Sequence, residues 1–260
     1  MNLDTDAINA AFARHEKAAL YLSGGKDSLA LLYAMAPWWD RLTVVWLNTG
    51  DAPRDTIARM AQIAETVPSF LEVRADQPAI IATDGIPVDL HVPEMTDTFG
   101  EWMSQTGIRF QPRYQCCANV LWYPLHAAIT EGGFTLLIRG QKQSDQLRPN
   151  SHNGMQLPDG GELLFPLDTW TDDDVFQFLR DIGVELPQHY QYGRSNIDCC
   201  TCPAYLTEFH RGVYLREQEP EKYPLYRKRL ALVSAHAESH MLALMREVNE
   251  CFYDDGCPDQ

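Results

Sequence analysis

Short apolar runs of strand length alternate with stretches of helical spacing along much of the chain. Residues 5–16 place Ala, Ile and Phe on one stripe and read as a short helix. Ala18–Leu22 is a brief apolar run, broken at once by Ser-Gly-Gly-Lys-Asp-Ser, and residues 28–36 return to helical composition. A Val- and Trp-rich run follows at Leu42–Leu47, then Asn48-Thr49-Gly50 and a helical stretch from Arg54 to about Thr66. Phe70–Val73 and Thr135–Ile138 are two further apolar runs. Strands this short alternating with helices predict an α/β fold whose parallel sheet is joined by crossover helices.

The remaining chain is punctuated differently. Asn150–Gly161 is dense in Gly, Pro, Asn and Asp and reads as a turn or hairpin. Thr171 is placed to cap a helix that opens with Asp172, Asp173 and Asp174, buries Val175, Phe176 and Leu179, and stops at Gly183. Residues 186–203 form a cysteine-bearing loop. A helical region runs from about Ala204 to Val248, broken near Pro220, before an irregular tail. No internal repeat or long linker separates these parts. The expected organisation is an α/β domain over residues 1–203 with a helical C-terminal extension and tail over 204–260.

Composition narrows the function classes. A chain of 260 residues, 45% hydrophobic and 22% charged, has enough apolar mass for a proper core and is not disordered or fibrous. Its 36 acidic and 21 basic residues leave a formal charge of −15, which repels phosphate backbones at long range. That argues against a nucleic-acid-coating surface and confines any anion site to a local group of cations and backbone amides. The N-terminal residues lack a basic stretch followed by an apolar run, so no signal peptide is expected. No run approaches a membrane span, and a cytoplasmic location is expected. In a reducing compartment the seven cysteines serve better as ligands or catalysts than as bridges.

Ser23-Gly24-Gly25-Lys26-Asp27-Ser28, between a strand and a helix, has the parts of a phosphate cradle. Two glycines allow close backbone approach, the helix N-terminus offers free N–H groups, and two hydroxyls and Lys26 add donors. The spacing is neither that of the Walker A loop nor that of the dinucleotide fingerprint. A second polar segment, Arg139-Gly140-Gln141-Lys142-Gln143-Ser144-Asp145-Gln146-Leu147-Arg148, directly follows an apolar strand. There Lys142, Ser144 and Arg148 are placed to grip a sulfate or phosphate.

The Ser23–Ser28 segment resembles the PP-loop of the adenine-nucleotide α-hydrolase-like superfamily, and Asn48-Thr49-Gly50 stands where that family has an adenosine-holding turn. The segment from Gly140 to Arg148 is similar to the anion-binding segment of phosphoadenosine phosphosulfate (PAPS) reductases, with Lys142 where they usually have Arg. Phe165-Pro166-Leu167-Asp168-Thr169-Trp170 and the loop Tyr192–Cys202 extend the resemblance over roughly residues 17–205. It implies a doubly wound, mostly parallel sheet of the PP-loop type and an adenine nucleotide ligand: PAPS, adenylyl sulfate, or ATP with Mg2+. The nucleotide would lie against Ser23, Gly24, Gly25, Lys26, Asp27, Ser28, Asn48, Thr49, Gly50, Gly140 and Ser144.

The tandem Cys116-Cys117 precedes Cys199-Cys200-Thr201-Cys202 by about 80 residues. Two close thiolate pairs can close around zinc or a [4Fe–4S] cube, and adjacent cysteines suit the cube better. The spacing is similar to the ligand set of the iron–sulfur branch of sulfonucleotide reductases, which implies Cys116, Cys117, Cys199 and Cys202 as cluster ligands. Cys200 is an alternative to Cys199.

Two departures from the family bear on the reaction. The family's C-terminal Glu-Cys-Gly-(Leu/Ile)-His motif, whose cysteine attacks the sulfate sulfur before a thioredoxin-like reductant resolves it, is missing. Cys251 and Cys257 remain, among Glu250, Asp254 and Asp255, which would raise a thiol pKa. The loop, by contrast, is intact, as in enzymes that split ATP. The resemblance therefore implies cleavage of a phosphate–sulfate or phosphate–phosphate anhydride, by reduction to sulfite or by hydrolysis or transfer. Lys26, Lys142 and Arg148 would be the catalytic cations, with His210 as an auxiliary. The alternatives are an adenylating sulfurtransferase acting on tRNA or DNA, which the charge disfavours, and a nucleotide or redox sensor on an inactive scaffold. A homo-oligomer is expected.

Overall fold

The computed structural model describes residues 3–89, 108–145, 151–193, 196–204 and 210–253, the last four without their side chains. The chain parts into two compact units, one of Met1–Ile80 with Cys117–Cys200 and one of Ile81–Cys116 with Thr201–Gln260. The expected boundary near residue 203 lies close to the third crossing between them, at Cys200–Thr201. The crossings after Ile80 and Cys116 carry no compositional mark.

Among the described residues the strands are β1 (Ala18–Tyr21), β2 (Leu42–Asn48), β3 (Phe70–Arg74), β4 (Ile86–Val88), β5 (Phe110–Pro112), β6 (Leu136–Ile138) and β7 (Glu162–Leu164). In the first unit five of them form one parallel sheet in the order β3-β2-β1-β6-β7. The chain moves outward from β1 to β3, then returns to pair β6 against the other side of β1. β1 and β6 therefore flank the switch point, where a doubly wound sheet opens a crevice at the strands' carboxyl ends. β7 is a strand that the periodicity does not predict: it is three residues long and begins with a charged Glu162.

Alternation along the strands fills both faces. Leu20, Leu22, Val44, Trp46, Leu136 and Ile138 pack with Leu29, Leu32, Met60, Val175 and Leu179 on one side. Ala19, Val45, Leu137 and Phe165 pack with Leu125 and Ile129 on the other. The helix Asp172–Asp181 starts as the sequence predicts, with a reciprocal capping box between Thr171 and Asp174. The Gly-rich segment closes as a hairpin, its backbone bonded between Gly154 and Leu163 and between Leu157 and Gly161. At the amino ends of β6 and β7, buried Glu162 accepts two bonds from Arg14, and His15 bridges it to Thr135.

The second unit has a small parallel pair, β4–β5, with Val88, Phe110 and Val233 in a separate core. Its C-terminal segment forms the helices Arg211–Gln218 and Tyr223–Tyr253. The break at Pro220 falls where expected, but helix runs on to Tyr253, so Cys251 lies on helix where the sequence suggested an irregular tail. No helix among the described residues is long and apolar enough to cross a membrane.

Candidate functional site

A cavity of about 330 Å³ opens in the first unit at the switch point. Tyr21, Leu22 and Ser23 leave β1 along one wall, Arg139, Gly140 and Gln141 leave β6 along another, and Val45, Leu47, Leu121 and Leu125 give it apolar sides. Leu121 and Trp122 come from a π-helical stretch, Ala118–Trp122, immediately after the tandem cysteines. Such wider turns are rare and often mark functional positions.

The Ser23–Ser28 loop is built as the sequence implies. Gly24 has φ +86°, a conformation costly for any residue with a Cβ, and a Cβ there would meet the Met60 methyl at 2.9 Å. The Ser28 hydroxyl donates to the Gly25 carbonyl and accepts from the Ser23 amide, which closes the loop on the first turn of the helix Lys26–Ala34. Ser23, Asp27 and Ser28 line the cavity together with Gly140. Gly140 permits the two segments to touch, because a Cβ there would lie 2.9 Å from the Asp27 carbonyl oxygen.

The cations are arranged less evenly than the sequence suggests. Lys26, 6% exposed, donates to both oxygens of Asp27 and to Asp172 Oδ1 at 2.9 Å. Lys142, fully buried, bonds Asp27, Asp145 and Asp172. Burial would lower the Lys142 ammonium, but the bonds from Asp27 and Asp145 outweigh it and hold it above the usual lysine range. Likewise burial would raise the Asp172 carboxyl, and the two lysines hold it below its usual value. Neither lysine lines the cavity.

Arg139 does, and among the described residues its guanidinium has no carboxylate partner. It lies over the Tyr21 ring at 5.4 Å, a cation–π pair inside the crevice. Burial pulls the guanidinium's pKa down and pushes the Tyr21 hydroxyl up to about 12, with Arg139 opposing that rise. A half-desolvated cation without a counter-ion is a standing demand for an anion. The sequence contains no signal that separates Arg139 from Lys142 three residues later.

Other expected residues hold the scaffold. Asn48 donates to Glu72 and accepts from the Gly50 amide; Gly50, at φ +79°, makes that turn possible. The Thr49 hydroxyl donates to the Asp198 carbonyl, and the Cys200 amide to the Asp51 carbonyl, so the turn after β2 is laced to the cysteine loop. Ser144 is exposed. His210 is exposed in the second unit. Arg148 and Cys257 lie outside the described residues, and the Cys251 side chain is likewise not described. Two residues that sequence reasoning misses complete the loop. The Tyr190 hydroxyl accepts the Lys26 amide at 2.8 Å, and Asn196 packs on Gly25 while bonding Asp198. Both precede the cysteines in a segment without periodicity.

Cys116, Cys117, Cys199, Cys200 and Cys202 are all outside disulfides; Cys117 and Cys199 are half-buried and the rest buried. Cys117, Cys199 and Cys200 belong to the first unit, Cys116 and Cys202 to the second. The donor chemistry is that of a thiolate cluster site. Among the described residues, however, no three His, Cys, Asp or Glu side chains gather closely enough to hold a metal ion. Within the second unit, buried Arg211 and Arg229 donate to the Cys202 and Thr201 carbonyls.

Residues 17–205 match the family described as the phosphoadenosine phosphosulfate reductase domain. The fold is similar to the crystal structure of phosphoadenylyl-sulfate (PAPS) reductase from Candida auris in its phosphate complex. That likeness has a TM-score of 0.50 at 13% identity and covers 72% of this chain and 83% of that one. No curated protein sequence matches. The matched span takes in the loop after β1, both walls of the crevice and the cysteine segments, and the chain belongs to the PAPS reductase domain family.

Proposed function

We propose that the chain binds an adenine nucleotide or sulfonucleotide in the crevice between β1 and β6 and cleaves its phosphate–sulfate or phosphate–phosphate anhydride. The observation that carries this is the composition of one cavity: the Ser23–Ser28 loop at one end, aliphatic walls fit for a purine, and Arg139 without a carboxylate partner among the described residues. Loop amides and hydroxyls hold the phosphate chain, and Arg139 supplies the charge that the ligand meets. Lys26 and Lys142 offset most of the charge of Asp27, Asp145 and Asp172, so an anion can enter an acid-rich protein here. Arg148 is a further cation for charge developing on the leaving oxygens.

Two versions of the reaction differ in nucleophile. In the reductive version a thiolate, Cys251 or Cys257, attacks the sulfate sulfur and the nucleoside phosphate leaves. A thiol of a thioredoxin-like reductant then attacks the cysteine sulfur and releases sulfite. In the other version water or an acceptor attacks. We extend the proposal to a [4Fe–4S] cluster on Cys116, Cys117, Cys199 and Cys202, supported by thiols of the right type and outside disulfides. Such a cluster supplies one-electron redox chemistry or fixed charge when bound.

The test is anaerobic purification followed by incubation with ATP, adenylyl sulfate and PAPS. Chromatography then resolves AMP, adenosine bisphosphate, pyrophosphate, sulfite and sulfate. Turnover of one nucleotide is expected, with thiolate-to-iron charge-transfer absorbance that Cys199→Ser abolishes. No turnover of any of the three would overturn the enzymatic reading, and a colourless zinc protein would overturn the cluster. Full activity in both Cys251→Ser and Cys257→Ser would eliminate the reductive version.

A further inference from the structure

Trp122 is 52% exposed, whereas Trp38, Trp46 and Trp170 are buried and Trp39 is half-buried. It nevertheless lines the cavity at the switch point, so its indole stands at the rim. Tyr114 and Tyr123, the two other exposed aromatic side chains among the described residues, do not line that cavity. Tyr21, the other aromatic ring along its walls, already carries the Arg139 guanidinium at 5.4 Å. An indole left at the surface forgoes the apolar burial that the buried tryptophans gain.

Local chain chemistry puts it there. Pro124, in the first turn of the helix Tyr123–Gly132, has no amide hydrogen to offer the Val120 carbonyl, and its ring crowds that oxygen. The preceding turn widens instead: the Tyr123 amide donates to the Ala118 carbonyl, five residues back, closing the π-helical stretch Ala118–Trp122. Leu121 and Trp122 from this turn and Leu125 from the next form one apolar wall of the cavity. Leu125 packs on the core that holds Val45 and Ile129, which anchors the wall to the sheet. The Ser23–Ser28 loop and Gly140 supply the polar wall. A flat π-face beside aliphatic side chains, in the same cavity as a phosphate loop, matches the two chemical halves of a nucleotide.

We propose that Trp122 is the platform on which the nucleotide base stacks while the Ser23–Ser28 loop holds the phosphate. This rests on the nucleotide reading of the crevice and names its base-binding side chain. A base–indole stack exists only when a base is bound, so removing the indole weakens ligands that carry a base and leaves the grip of the loop on a bare sugar phosphate intact.

Two measurements on the full chain test it. The first compares AMP with ribose 5-phosphate by titration calorimetry. Trp122→Ala should bind AMP at least about tenfold more weakly and ribose 5-phosphate within about twofold of wild type. Trp122→Phe should recover most of the AMP affinity, and Tyr123→Ala should bind both ligands as wild type does. The second follows tryptophan emission. AMP should quench it in wild type and ribose 5-phosphate should not, while Trp122→Phe should lose the quench and still bind AMP. An AMP loss below about threefold in Trp122→Ala, or an equal loss for ribose 5-phosphate, overturns the stack. So does a quench that survives in Trp122→Phe. If Trp122→Ala does not fold, the emission of wild type and Trp122→Phe decides. Wild type that binds neither ligand overturns the nucleotide function and the stack with it. Wild type that binds AMP with no response to either Trp122 variant overturns the stack alone.

Discussion

At the amino ends of β6 and β7, Glu162 accepts bonds of 2.6 and 3.1 Å from Arg14 and shares a 3.0 Å bond with His15, whose other ring nitrogen reaches Thr135. At the carboxyl ends of β1 and β6, two lysines meet three aspartates beside a cavity in which Arg139 has no carboxylate partner among the described residues. Both clusters bury charge in the same sheet. The first is closed: its carboxylate is fully engaged by Arg14 and His15, so it fastens the helix Thr5–Arg14 to the sheet edge. Beside the second, Arg139 faces the cavity with no carboxylate partner among the described residues. A buried ion cluster therefore becomes a candidate site through what it leaves unmatched beside a cavity.

Substitutions at the two ends should separate accordingly. The largest effect is expected from Gly140→Val, which forces a side chain against the Asp27 backbone; nucleotide affinity should fall at least about a hundredfold, or roughly 3 kcal/mol. Arg139→Ala comes next, with affinity about tenfold to a hundredfold weaker and thermal midpoint nearly unchanged, read by titration calorimetry and thermal melts. Glu162→Gln should do the reverse. Losing the charged bonds from a buried acceptor costs about 2 kcal/mol, a drop of several degrees in the melt, while affinity stays within twofold.

The smallest effect is a pH dependence of that last difference. Hydrogen bonds from Arg14 hold the Glu162 carboxyl at about 2, below its ordinary 4.5. A lowered folded-state pKa stabilises above the unfolded value and loses its contribution as pH falls through the folded one. The stability gap between wild type and Glu162→Gln should thus be full above pH 4.5 and close as pH approaches 2. A constant gap across that window would show that the carboxylate's charge is irrelevant to the closed cluster.

What was legible in the sequence is what local periodicity and capping encode. β1, β2, β3 and β6 announce themselves as apolar runs, and Thr171 with Asp174 announces its helix. β7 does not, because three residues opening on a glutamate carry no alternation, and β4 and β5 are equally short. The loop after β1 was legible because glycine, serine and lysine between strand and helix have a local meaning. The roles around it were not. Whether Lys142 or Arg139 faces the cavity depends on three aspartates, two of them from distant segments, and Tyr190 reaches the Lys26 amide across 164 residues of chain.

Titration of the full chain with AMP and adenosine 3′,5′-bisphosphate, on wild type, Arg139→Ala and Glu162→Gln, tests the central claim most directly. The crevice between β1 and β6 predicts one nucleotide per wild-type chain, affinity weakened about tenfold or more in Arg139→Ala, and affinity preserved in Glu162→Gln. Wild type that binds neither nucleotide, or equal losses in both variants, would contradict it.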